Sequence, residues 1–89
     1  GSVVYLEEGQ LLRIFLFTEM TGLSGRILYH DWYLGEKNMA RVRVPITADS
    51  VSASSSKFID QYMLGNWKVL VTDDAGKLMI SASFEVRPG

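Results

Sequence analysis

The sequence contains no cysteine. That one absence removes a disulfide framework, a thiol nucleophile and a zinc–thiolate site. Charge of one sign is missing too: nine Lys and Arg stand against ten Asp and Glu, for a net charge of −1 and an isoelectric point of about 5.7. A broad nucleic-acid footprint, which needs a basic excess on one face, is excluded. No apolar run reaches the ~18 residues of a membrane span, and no secretory leader opens the chain. The glycine-rich spacings that cradle phosphate are also lacking, since TGLSG from Thr21 to Gly25 fits neither a P-loop nor a dinucleotide fold.

What remains is 89 residues, 47 % hydrophobic and 21 % charged. This is the composition of one globular domain, long enough to bury a core yet only marginally stable. Gly1 and Ser2 read as a cloning scar. Residues 3–89 are then one domain, expected to be cut from a longer protein.

Short segments of strand length fill the chain. Gln10 to Glu19, QLLRIFLFTE, is apolar on both alternating faces, with Ile14 and Leu16 on one and Phe15 and Phe17 on the other. That suits a central strand covered on both sides. Arg26 to Leu34 is a second strand, with Tyr29, Asp31 and Tyr33 on one face and Leu28, His30, Trp32 and Leu34 on the other. Residues 35–38 make a hairpin-type turn. Met39 to Ile46 alternates, sending Val42, Val44 and Ile46 inward and Arg41 and Arg43 to water, with Pro45 marking a strand end or an edge.

Ala48 to Lys57 is polar and serine-rich and reads as a linker or an exposed edge strand. Phe58 to Leu64 is expected to form one helical turn that brings Phe58 and Tyr62 together. Trp67 to Thr72 and Lys77 to Val86 alternate around a loop in which Gly76 takes positive φ. The expected core faces are Trp67, Val69 and Val71, and Leu78, Ile80, Ala82, Phe84 and Val86. Six or seven short strands without a long helix predict an antiparallel β-sandwich or small barrel. The immunoglobulin-like version is favoured on patterning alone, without its disulfide.

Residues with chemistry are few. His30, the single histidine, stands beside Asp31 in sequence, but strand neighbours point to opposite faces and do not form a dyad. Its face is shared with Trp32, which predicts a half-buried structural histidine. The serines at 50, 52, 54, 55 and 56 lack nucleophile-elbow spacing and a second histidine. Asp73 and Asp74 read as turn chemistry, with no calcium-loop spacing after them. Tyr29, Trp32, Tyr33 and Trp67 either form a sugar-stacking platform or fill the core, and core packing is favoured. Arg41 and Arg43, with Lys57 and Lys68 near, form either a patch for an acidic partner or a solvated sheet face, the latter favoured at this net charge.

With the strands placed, the chain resembles the bacterial domain of unknown function 2914 family over roughly residues 14–86. The resemblance is carried by His30-x-Trp32-Tyr33 after the Gly25 turn, Gly35 in the hairpin, Ser55-Ser56-Lys57, Gly65-x-Trp67-x-Val69, Asp74-x-Gly76 and Phe84-x-Val86. The family pattern has an arginine and a threonine or tryptophan just before Ser-Ser-Lys, where this chain reads Ser50-Val51-Ser52-Ala53-Ser54. The resemblance implies an extracytoplasmic β domain of a membrane-anchored envelope protein, and it brings no activity, cofactor or catalytic residue with it.

The expected function is therefore a non-catalytic interaction module that binds a protein partner or self-associates, by strand addition at the open edge offered by residues 48–57. A carbohydrate- or peptidoglycan-binding module is the alternative. The candidate partner-binding residues are His30, Tyr33, Arg41, Arg43 and Lys57, with no cofactor and no metal.

Overall fold

Period-two alternation, broken by glycine and aspartate turns, yields seven strands and no helix in the computed structural model, which describes residues 2–89 apart from the side chain of Val51. They are β1 (Ser2–Leu6), β2 (Leu12–Thr21), β3 (Ile27–Leu34), β4 (Lys37–Pro45), β5 (Ser50–Ile59), β6 (Gly65–Thr72) and β7 (Leu78–Pro88). Five strands form one sheet in the order β1-β7-β6-β3-β4, and β2 and β5 form a two-stranded ribbon. Gly1, one half of the expected scar, lies outside the described residues; Ser2, the other half, already belongs to β1.

The interior lies between the two sheets. Leu6, Trp32, Ile59, Trp67, Val69 and Val86 make one buried cluster, against which Leu12, Ile14 and Leu16 of the ribbon pack. Leu28, Ile46, Ala53 and Val71 make a second cluster. The Phe84 ring lies stacked on Trp67 at 6.1 Å between centroids and edge-on to Trp32 at 6.4 Å. Trp67, Val69 and Val71 are buried as alternation predicts.

Local turn chemistry holds the hairpins. At Gly35, φ is +58°, which suits the first position of a two-residue type II′ loop between β3 and β4. The loop after β6 is tied by Asp73, whose Oδ1 accepts from the N–H groups of Ala75 (2.9 Å) and Lys77 (2.8 Å). Gly76 there has φ +82°, a backbone state that strains any residue with a Cβ.

Four expectations are corrected. The first concerns β1, where no strand is expected before Gln10. It pairs with β7 in parallel, Ser2 opposite Phe84, so the five-stranded sheet is not antiparallel throughout. Second, β2 is not a central strand. It pairs only with β5, and one of its faces meets solvent. Third, no helical turn joins Phe58 to Tyr62. β5 runs through Ile59, and Asp60 then nucleates a turn: its side chain accepts from Tyr62 N–H (2.9 Å) and its carbonyl from Met63 N–H (3.0 Å). An Asx turn offers these donors a local partner that a single helical turn cannot match. Fourth, Leu78 is exposed, because it opens β7 at the sheet's end. Of residues 48–57, expected as a linker or an exposed edge strand, 50–57 belong to β5, a strand with one unpaired edge.

Candidate functional site

The sequence motifs converge first on a polar cluster inside the protein. His30 and Trp32 project from β3 toward the ribbon because both lie on its inward parity, and Ser55 of β5 meets them. Trp32 Nε1–H donates to Ser55 Oγ at 3.1 Å, and His30 Nδ1 lies 2.6 Å from the same oxygen. One hydroxyl thus joins the two layers. The other imidazole nitrogen, Nε2, is buried without a partner. His30 is fully enclosed rather than half-buried, so its ring does not reach a surface where a partner could touch it.

Enclosure sets the protonation state. Burial pushes the His30 pKa below its ordinary 6.5, and the nearby Asp31 charge opposes this only in part. The unfolded chain takes up a proton near the ordinary value while the folded chain resists it. The stability that comes from neutral His30 is therefore complete above pH ~6.5 and is lost as pH falls below it. Urea midpoints should fall as pH drops below about 6.5, and this slope should flatten in His30→Leu. An unchanged slope in that variant would reject the assignment. Asp73, Asp74 and Glu85 have lowered pKa values, from backbone N–H groups, Arg26 and Arg87 respectively, so their contribution is lost at lower pH still.

Three of the expected partner-binding residues share a second location, the outer face of the five-stranded sheet. Arg41 lies across the Tyr29 ring at 4.1 Å and 3.9 Å from Asp31 Oδ2. Lys68 lies over Tyr33 at 5.3 Å. Arg43 is exposed opposite Tyr29. Asp31 is buried here and accepts from Asn38 Nδ2 at 3.1 Å. The cations are largely engaged by rings and a carboxylate of their own sheet. Lys57 is elsewhere, half-buried on the ribbon, with Nζ donating to the Phe58 carbonyl. The structure thus groups Tyr33, Arg41 and Arg43 and separates them from His30 and Lys57.

The four-ring sugar platform does not form. Trp32 and Trp67 are core residues, and Trp67 Nε1–H is used by the Met63 carbonyl at 2.9 Å. Among the described residues, no three His, Asp or Glu side chains converge as a metal site would require.

The surface that the sequence reading missed is the outer face of the ribbon. Phe15, Phe17 and Phe58 are 48 %, 69 % and 51 % exposed. Phe15 and Phe17 stack at 5.7 Å, and Arg13 lies over Phe15 (4.8 Å) and Phe58 (5.2 Å) with Nε–H donating to Ser56 Oγ at 2.9 Å. A signal for this was present: Arg13 and Glu19 share the parity of Phe15 and Phe17, and charges on a strand face mark it as solvated.

The fold defines a class: a small all-β domain of two layers whose motif residues are largely scaffolding. The family model described as "Protein of unknown function (DUF2914)" matches residues 26–86. The chain belongs to that family, and the matched segment starts after β2. A search of curated proteins finds no match.

Proposed function

We propose that this domain is a non-catalytic interaction module of a bacterial envelope protein, built on an immunoglobulin-like sandwich, and that it engages protein through the outer face of β2 and β5. The observation that carries this reading is the exposed Phe15, Phe17 and Phe58 set on a ribbon whose two edges are unpaired. Soluble domains seldom leave a contiguous aromatic face open unless something covers it, and unpaired edges add main-chain donors and acceptors beside it.

Other features agree. The immunoglobulin-like reading is supported by the β7-β6-β3 run in one sheet, the β2–β5 pair in the other and a buried tryptophan on β3. The non-catalytic reading is supported by the enclosure of the single histidine together with Ser55, the hydroxyl it meets. The envelope location rests on the family resemblance.

A photoreactive residue placed at Phe17 tests the proposal in cells of the source bacterium, with one at Ser83, on the other sheet, as control. Protein adducts are expected from position 17 and not from 83. Labelling of glycan alone, or no adduct at either position, would reject the protein-binding reading.

A further inference from the structure

The outward side chains of β2 have an order that selects an occupant. From Arg13 the stripe runs cation, ring, ring, anion: Arg13, Phe15, Phe17, Glu19. It is symmetric about Leu16, with opposite charges at its ends. Among the described residues neither Arg13 nor Glu19 is in an ion pair. On the neighbouring strand, Ser54 and Ser56 stand opposite Phe17 and Phe15, so the rings form a ridge beside a low serine floor.

Resting on the reading of this face as a protein-binding surface, we infer that its occupant is the same face of a second copy of this chain. The two ribbons pack sheet on sheet, antiparallel, about a two-fold axis level with Leu16. Phe15 of one copy then lies over Phe17 of the other, and Arg13 over Glu19, each contact occurring twice. A parallel arrangement sets β2 over β5 instead and leaves both charges without a partner. Edge-to-edge joining of β2 to β2 would also pair the charges. It leaves Phe15 and Phe17 of both copies open to solvent, however, because side chains stand perpendicular to the plane in which edges join.

The size of the face predicts the strength. Ten residues at ~3.4 Å rise, on two strands ~4.8 Å apart, cover roughly 350 Å². The pair then buries about 700 Å², against ~1,200 Å² or more in stable specific complexes. The dimer is weak and concentration-dependent.

Sedimentation equilibrium of the purified chain up to millimolar concentration tests this, with circular dichroism to verify folding of each variant. Glu19→Arg and Arg13→Glu should each weaken association about tenfold, since each turns two attractive contacts into repulsive ones. The double variant carrying both changes should recover to within about threefold of the original. Phe17→Ser should weaken association at least tenfold. A chain that stays monomeric overturns the inference, and so does a dimer indifferent to Glu19→Arg, which would be parallel or use another surface. The protein-binding reading survives either result if the label at position 17 captures a different protein, and falls with the inference only if it captures none.

Discussion

Trp67→Ala is expected to cost about 3–5 kcal/mol, the usual range for truncating a large buried aromatic. Domains of this size have roughly 5–10 kcal/mol in total, so the variant should be at the margin of folding at room temperature. The indole is buried, stacked on Phe84 and packed in the same cluster as Leu6, Ile59 and Val86, and its N–H serves the Met63 carbonyl. Alanine would leave a cavity that rigid neighbouring strands cannot collapse into. Urea unfolding should show the loss as a lower midpoint with little change in slope. Trp67→Phe keeps most of the ring volume and leaves the Met63 carbonyl without its partner, so about 1–2 kcal/mol is expected. A loss under about 1 kcal/mol for Trp67→Ala would show that the ring is not a core element.

Ser55→Ala is the second large effect, about 2–4 kcal/mol from the removal of a single oxygen. That oxygen receives the Trp32 N–H and pairs with His30 Nδ1 inside the protein. Its loss leaves both groups buried and unpartnered, beside a Nε2 that already lacks a partner. Each stranded group costs about 1–3 kcal/mol. The same change made in a His30→Leu background should cost less, by about 1 kcal/mol or more, because one stranded group is gone. Strict additivity in that double-mutant cycle would dismiss the cluster as an energetic unit.

These two positions also explain the family motifs. Trp32 and Ser55 come from separate motif elements and meet through one hydrogen bond between the layers. Trp67 and Phe84 come from two others and stack on each other. Gly76 allows the positive φ of the last hairpin, while Asp74 beside it holds Arg26 at 2.7 Å. These motif residues build the fold, except that Ser56 lies on the candidate surface opposite Phe15, while the rings of that surface, Phe15, Phe17 and Phe58, stand outside the motifs.

Reading the strands was possible wherever the signal was local. The β6–β7 hairpin shows its alternation and its aspartate–glycine loop within consecutive residues, and those physical rules act between near neighbours. β1 shows no alternation and no hairpin turn in its five residues SVVYL, and its pairing in parallel with β7, more than seventy positions away, leaves no local mark. β2 failed for a related reason. Apolar residues on both parities predict burial on both faces, but only a covering layer can supply it, and none lies over Phe15 and Phe17.

The sequence by itself determined the chemistry that is absent and the class of fold. Without cysteine the layers are not cross-linked by a disulfide, and with nine basic residues against ten acidic ones the chain has no basic excess. Its alternating runs determined β-structure, since side-chain parity is a property of the strand itself. The tertiary structure alone decided which parity is covered. It enclosed His30, left Arg41 lying on Tyr29, and exposed the phenylalanines of a strand that looked doubly buried. Burial depends on what another part of the chain, distant in sequence, brings to a face, and no local pattern records that.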